Sequence, residues 1–171
     1  SEMCIRDRSY IKPDEASRRE SVARAMKTVD VASDLGVRVV DTFSGAVPEQ
    51  MPGEKAWPIL IRSISEVAAH AAERDVRIAF EAHVGMPVDS PEALERLLAE
   101  VSSEYLAVNL DASHFSIRGW DVTAIARRLG RLIAHSHVKD TRGSFPDFRF
   151  LIPGEGDFPF EEFLSALAGT G

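Results

Sequence analysis

Three short apolar runs between residues 76 and 137 each end on a residue type that binds metals in proteins. They read Val-Arg-Ile-Ala-Phe-Glu at 76–81, Leu-Ala-Val-Asn-Leu-Asp at 106–111 and Leu-Ile-Ala-His-Ser-His at 132–137. Helical segments separate the runs, so we predict consecutive parallel strands joined by helical crossovers. Glu81, Asp111 and His137 then close neighbouring strands at one edge, which is typical of a divalent-metal site at the mouth of an α/β barrel.

The rest of the chain continues this alternation of helical and extended segments. Apolar residues at helical spacing, with caps such as Ser90 before Pro91, predict helices at 17–35, 57–74, 91–101, 121–129 and 158–168. Apolar runs predict strands at 37–42, 76–81, 105–111 and 131–138, and a loop rich in Pro and Gly follows the last of them. We therefore predict an α/β fold that is a partial (β/α)8 TIM barrel, with about four parallel strands alternating with about five helices. An open doubly wound sheet is the alternative, but no Gly-rich phosphate turn follows any of these strands.

The composition is that of a globular protein, with 44% hydrophobic and 27% charged residues among 171. The formal net charge of −7 disfavours nucleic acid and anionic membranes as partners. No apolar stretch is long enough to span a bilayer, and the chain does not open with a signal-peptide pattern. Cys4 is the single cysteine, which excludes an intramolecular disulfide framework, and we expect a cytoplasmic location.

The first residues differ from the rest of the chain. Residues 1–9 read Ser-Glu-Met-Cys-Ile-Arg-Asp-Arg-Ser and share no helical or strand period with the residues after them. They resemble translated sequencing-adapter read-through, and a disordered tail is the alternative. We therefore divide the chain into a tail at 1–9 and a partial barrel domain at 10–171. Because eight strands close a TIM barrel, we expect about half of one here, as in a fragment cut at both ends.

The residue types at the strand ends indicate which metals fit. Side chains two apart on a strand share a face, so His135 and His137 point the same way, as do Asn109 and Asp111. Two carboxylates and one imidazole form a rather hard ligand set that suits Mn²⁺, Mg²⁺, Co²⁺ or Zn²⁺. A structural interpretation competes with this one, because each carboxylate can be an ion-paired strand end and His137 a hydrogen-bonded core histidine.

Four segments in order resemble the sugar phosphate isomerase/epimerase family, the xylose isomerase-like TIM barrels. They are Phe-Glu-Ala-His at 80–83, Leu-Asp-Ala-Ser-His-Phe at 110–115, His-Ser-His-Val-Lys-Asp at 135–140 and Pro-Gly-Glu-Gly-Asp at 153–157. The resemblance implies a metal held by Glu81, Asp111, His137 and a further Glu that would close a strand after Gly171. It implies substrate contacts at His114 and, with a spacing shifted by one, at Arg142. His83 and Lys139 are further candidates for substrate binding, or else they pair with Asp140 and nearby acids.

The same resemblance implies a reaction. A keto or aldo sugar, bound through its carbonyl and neighbouring hydroxyl, would lose a carbon-bound proton to Glu81, and the metal would stabilise the enediolate. The missing Glu would serve the opposite face of that carbon. The predicted function is therefore a metal-dependent isomerase or epimerase acting on a small carbohydrate, with Glu81 catalytic and with the fragment itself inactive.

Three other functions stay open from the sequence. An inosose-type dehydratase shares the deprotonation and then expels a hydroxyl. An apurinic-site endonuclease shares the Asp-x-x-His spacing of Asp111 and His114, but the loop Pro-Asp-Phe-Arg at 146–149 lacks the histidine that it needs, and the acidic balance disfavours a phosphodiester. The alternative of another class is a non-catalytic truncated barrel with unpaired strands at its edges.

Overall fold

The computed structural model describes residues 2–4 and 9–170, with side chains from residue 9 onward. The elements along the chain are β1 (Glu2–Cys4), α1 (Glu15–Asp34), β2 (Val39–Thr42), α2 (Gly53–Glu73), β3 (Arg77–Glu81), α3 (Pro91–Val101), β4 (Leu106–Asp111), α4 (Ser113–Ser116), α5 (Val122–Leu129), β5 (Ile133–His137), β6 (Asp140–Ser144), β7 (Asp147–Leu151) and α6 (Phe160–Ala168). The predicted alternation of helices and strands is confirmed, with boundaries that differ by a few residues.

Local side-chain chemistry sets where several helices begin. Asp14, Ser90 and Asp121 are extended N-cap residues, and their side chains accept hydrogen bonds from backbone N–H groups of α1, α3 and α5 respectively. These bonds satisfy N–H groups that have no partner inside the helix. Pro91 occupies the first turn of α3, where its missing N–H costs nothing. Each cap thereby fixes the residue at which its helix begins, on the side of the sheet where the strands have their carboxyl ends.

The strands β1 to β5 form one parallel sheet in chain order. This arrangement confirms the α/β partial barrel. The sheet has one strand more than predicted. Glu2–Cys4, which lies inside the segment 1–9 predicted as a tail, pairs with Val39–Asp41. Ser1 and residues 5–8 of that segment lie outside the described residues, and the division at residue 9 stays a prediction.

The hydrophobic core lies between the sheet and its helices. Ile78 and Phe80 on β3 contribute to the same buried cluster as Leu60, Ile64 and Val67 on α2. Burial of an apolar side chain of this size contributes about 1.5–3 kcal/mol. The residues that alternate with Ile78 and Phe80 point to the other face of the sheet, which is the barrel interior. Among the described helices, none has the length and apolar character to cross a membrane.

The segment predicted as a loop after the fifth strand is a β-hairpin. The strands β6 and β7 pair antiparallel, with Thr141 opposite Phe150 and Arg142 opposite Arg149. The prediction of a loop was wrong because most of the proline and glycine residues on which it rested lie outside the two strands. Pro146 lies in the turn, and only Gly143 lies within a strand. The hairpin stands at the carboxyl ends of the barrel strands, next to the predicted site.

Gly156 lies where the chain after the hairpin passes close to Asp140. A Cβ atom on Gly156 would lie 2.4 Å from Asp140 Oδ1 and 2.4 Å from the carbonyl oxygen of Thr141. Such distances are far below van der Waals contact, and both neighbours are held in place by hydrogen bonds. Only glycine therefore fits at this position without a movement of the backbone.

We expect Gly156→Ala to destabilise the fold by about 1–3 kcal/mol, the usual cost of overpacking. The measurement is the free energy of unfolding in urea. Gly53→Ala is the matched control, because a Cβ there meets nothing within 4 Å and the residue begins α2. Equal stabilities of the two variants would contradict the steric argument.

Candidate metal centre

The parallel register brings the three strand ends together. Glu81 on β3 lies beside Asn109 on β4, and Asp111 at the end of β4 lies beside His137 at the end of β5. Neighbouring residues of parallel strands share a face, so these side chains all point into the barrel interior. The structure therefore places Glu81, Asp111 and His137 at one mouth, as expected from the sequence.

A β-bulge decides the direction of the histidines on β5. Val108 lies beside Ile133, but Asn109 lies beside His135, so Ala134 is an extra residue on β5. Because side chains alternate along a strand, one extra residue exchanges the two faces. The bulge turns His135 and His137 to the face that carries Asp111.

The carboxylate of Asp111 is 2% exposed and has several partners. It accepts hydrogen bonds from the backbone N–H and the hydroxyl of Ser113, and Lys139 Nζ lies 2.8 Å from its Oδ2 atom. Burial by itself raises the pKa of Asp111, but the Lys139 ammonium and the other partners outweigh this effect and hold the pKa below its usual value. Asp111 is therefore a carboxylate, the form that binds cations.

His114 lies between the two carboxylates. It is 1% exposed, and its Nε2 atom is 3.7 Å from Glu81 Oε1, 3.7 Å from Asp111 Oδ2 and 3.2 Å from Lys139 Nζ. Its ring packs on the ring of His83 with 3.9 Å between centroids. Burial is the main reason that the pKa of His114 falls to about 3, since it outweighs the attraction of Asp111. The imidazole is therefore neutral near pH 7.

His137 and Asn109 extend the cluster toward β2. His137 Nδ1 is 3.4 Å from Glu81 Oε1 and 3.1 Å from Asn109 Nδ2. The same Asn109 amide donates a hydrogen bond to Asp41 Oδ1 at 2.8 Å. Asp41 was not among the residues singled out from the sequence, although it is an acidic residue near the end of a predicted strand, directly after Val39 and Val40, and that signal could have found it.

Two sets of potential metal ligands exist among the described residues. Asp41, Glu81 and His137 form one set, and Glu81, Asp111 and His114 form the other, with all ligand atoms of a set within 4.8 Å of one another. Carboxylate oxygens and imidazole nitrogens fit Mn²⁺, Mg²⁺, Co²⁺ or Zn²⁺. Glu81 belongs to both sets, whereas Asp111 and His137 fall in different ones. The assignment of Glu81, Asp111 and His137 as the ligands of one metal stays a prediction.

The structure separates the other predicted site residues into two groups. His83 and Lys139 both contact His114, so they lie at the cluster. Arg142 is exposed on the hairpin, where it donates a hydrogen bond to the carbonyl oxygen of Glu155 and lies 3.7 Å from Asp157. The structure does not bring Arg142 to the carboxylates of the cluster, and substrate binding by Arg142 stays a prediction.

A parallel sheet wrapped by helices, with buried carboxylates and histidines at the carboxyl ends of its strands, defines a TIM-barrel protein with a polar site in its mouth. The chain belongs to the xylose isomerase-like TIM barrel family, whose model matches residues 3–171. This finding confirms the family resemblance seen in the four sequence segments.

Among curated proteins, the chain is 32% identical over 137 residues to the rhizopine catabolism protein MocC of Rhizobium meliloti, covering 71% of this chain and 42% of that protein. It is 22% identical over 167 residues to the inosose dehydratase of Clostridium tetani, covering 88% of this chain and 56% of the enzyme. The chain thus spans about half the length of these relatives.

Solved structures show the same fold. A D-tagatose 3-epimerase-like protein superposes with a TM-score of 0.85 at 22% identity, covering 98% of this chain and 65% of the other. The IolI protein with a binding zinc atom superposes with a TM-score of 0.79 at 21% identity, covering 99% of this chain and 62% of the other. At these identities the likeness concerns the fold.

We expect the ring protons of His114 to titrate with a midpoint near pH 3 in NMR spectra of the metal-free chain, against 6.5 for an ordinary histidine. In this window the unfolded chain binds the proton and the folded chain does not, so stability should fall as the pH drops from 6.5 toward 3. The spectrum of His114→Gln identifies the resonance. A midpoint near 6.5 would contradict the burial argument.

Proposed function

We propose that this chain is part of a divalent-metal-dependent isomerase or epimerase that acts on a small sugar or sugar-like keto or aldo substrate. The observation that carries the proposal is the position of Glu81. Glu81 is 8% exposed and ends the central strand β3. Its carboxylate belongs to both sets of potential ligands and lies within 3.7 Å of two imidazoles. A carboxylate in this place can bind a cation and exchange a proton with a bound substrate.

The chemistry begins with the substrate carbonyl and its neighbouring C–H bond. A bound divalent cation supplies Lewis-acid polarisation of the carbonyl oxygen. Glu81 takes the carbon-bound proton, and the electron pair of the C–H bond moves toward the carbonyl oxygen. The isomer forms when the proton returns to the former carbonyl carbon and the proton of the neighbouring hydroxyl moves to the former carbonyl oxygen. The epimer forms when a proton returns to the opposite face of the carbon that lost it. Epimerisation therefore needs a second acid on the opposite face.

His114 and Lys139 suit the binding of substrate hydroxyls. A neutral imidazole accepts one hydrogen bond and donates another, so His114 can orient a hydroxyl without adding charge. Lys139 lies 3.2 Å from His114 and donates only, which favours a substrate oxygen that carries developing negative charge. His83 packs on His114 and holds that ring in place.

A second candidate is a dehydratase acting on an inosose-type substrate. The observation that favours it is the likeness to curated inosose dehydratases, with 22% identity over 167 residues in one case. The proton abstraction by Glu81 is the same, but a β-hydroxyl then takes a proton from an acid and leaves as water. The endonuclease is disfavoured, because residues 146–149 form the turn and first part of an exposed hairpin strand without a histidine.

We expect Glu81→Gln to lower the affinity of the chain for Mn²⁺ by at least about tenfold, because a ligand and its negative charge are removed. Isothermal titration of the 171-residue chain measures the affinity. Glu162→Gln is the matched control, since Glu162 is exposed on α6. Equal affinities for the wild type and Glu81→Gln would overturn the metal site.

The reaction is distinguished by mass spectrometry of ketoses, aldoses and inososes that have been incubated with the full-length protein and Mn²⁺ in D₂O. An isomerase or epimerase incorporates deuterium at carbon, and a dehydratase removes one water. Both outcomes should disappear in Glu81→Gln. Metal binding that depends on Glu81 without either outcome would favour the non-catalytic alternative for this chain.

A further inference from the structure

The carboxylate of Asp140 is an acceptor for four backbone N–H groups. It is 1% exposed, directly follows Lys139 and opens β6. Its Oδ1 atom accepts from the N–H groups of Thr141 at 2.8 Å and Phe158 at 2.9 Å, and its Oδ2 atom accepts from Gly154 and Gly156, both at 2.8 Å. Burial by itself raises the pKa of Asp140, but these donors outweigh it and lower the pKa to about 2.

These bonds fix both ends of the hairpin. The donors Gly154, Gly156 and Phe158 lie after β7, whereas Asp140 lies at the start of β6. The N–H group of Asp157 adds a bond of 2.8 Å to the carbonyl oxygen of Thr141. The chain that leaves the hairpin is thereby tied to the residue at which the hairpin begins, so the hairpin has little freedom to swing.

The fixed hairpin places an aromatic ring over the candidate site. Phe150 Cα is paired with Thr141, and its ring lies 5.2 Å from the ring of His114, edge to face. Lys139 Nζ lies 4.1 Å from the centroid of the same ring, within the range of a cation–π contact. Phe150 is 37% exposed, and the side chain of Lys139 beneath it is still 30% exposed, so the ring covers one side of the lysine and leaves another side open to solvent.

We propose that Asp140 is a positioning residue, which holds the β6–β7 hairpin so that Phe150 partly covers Lys139 and His114 and limits the access of water to the Lys139–Asp111 ion pair. The inference rests on the proposed function, because Lys139 and His114 are the proposed substrate contacts. In that role the cover strengthens the ion pair and the hydrogen bonds of His114, since electrostatic interactions weaken when water enters.

The test measures how fast the ammonium hydrogens of Lys139 exchange with water, by ¹⁵N NMR of the metal-free chain at one pH. Lys12, Lys27 and Lys55 are the internal references. We expect Asp140→Asn to accelerate exchange at Lys139 about tenfold, because an amide in either orientation leaves two of the four N–H groups without an acceptor. Asp157→Asn should have no effect, since that side chain is exposed and lies beside Arg142 on the outside of the hairpin.

A general loss of stability is separated from positioning by a distant variant. Val29→Ala shortens a buried side chain of α1. It should destabilise the fold without changing the rate at which the ammonium hydrogens of Lys139 exchange with water. Equal acceleration in Val29→Ala and Asp140→Asn would overturn the proposal.

Phe150→Ala removes the ring that lies over Lys139 and His114. It therefore tests whether this ring limits the access of water, even if Asp140→Asn does not fold. We expect accelerated exchange at Lys139 in Phe150→Ala and wild-type exchange in Ile152→Ala, which shortens an exposed side chain just after β7. Unchanged exchange in Phe150→Ala would refute the cover. The exchange measurement uses the metal-free chain, whereas the proposed function is tested by Mn²⁺ affinity. A negative result in one experiment is therefore distinguishable from a negative result in the other.

Discussion

The ion pair between Asp111 and Lys139 is the interaction around which the mouth of the barrel is organised. A carboxylate that is 2% exposed is costly unless a cation or donors compensate it, and Asp111 has Lys139 at 2.8 Å together with Ser113. Ser113 begins α4 and Lys139 follows β5. One negative charge thus ties the turn after β4 to the chain that leaves β5, and it places Lys139 beside His114. The hairpin after Lys139 then covers an already ordered cluster.

Glu81 connects this ion pair with the other half of the cluster. Its Oε1 atom lies 3.7 Å from His114 on the side of Asp111 and 3.4 Å from His137 on the side of Asp41. Because the Glu81 carboxylate contacts both imidazoles, a substitution near either His114 or His137 alters the electrostatic environment of Glu81. Glu81 is also the residue to which the proposed function assigns the proton transfer. Substitution of His114 or His137 should therefore change the electrostatic potential at the Glu81 carboxylate, even though Glu81 itself is unchanged.

Most of the helices, the strands β2 to β5 and their polar ends were predictable from the sequence, whereas β1, the hairpin and the contacts that connect the elements were not. Ser90 before Pro91 indicates a helix start from local chemistry alone, and Glu81, Asp111 and His137 stand out as polar ends of apolar runs. The extra residue Ala134 has no sequence signal, because a bulge depends on the pairing of two strands rather than on either one. Three of the four donors to Asp140 are backbone groups that lie 14 to 18 residues further along the chain, and no residue type reveals such bonds.

The hydrogen bonds to Asp140 have a consequence for how this part of the protein can vary. Since all four donors are main-chain N–H groups, they do not depend on which side chains the hairpin carries, apart from the glycine at 156. The tip of the hairpin, between Ser144 and Asp147, lies at the far end from this anchor. Evolutionary change or loop grafting can therefore alter the outward side chains of the hairpin without loss of this anchor, whereas the tip has a contact of its own to preserve, the bond of 2.8 Å from the Phe145 N–H group to the carbonyl oxygen of Ile117.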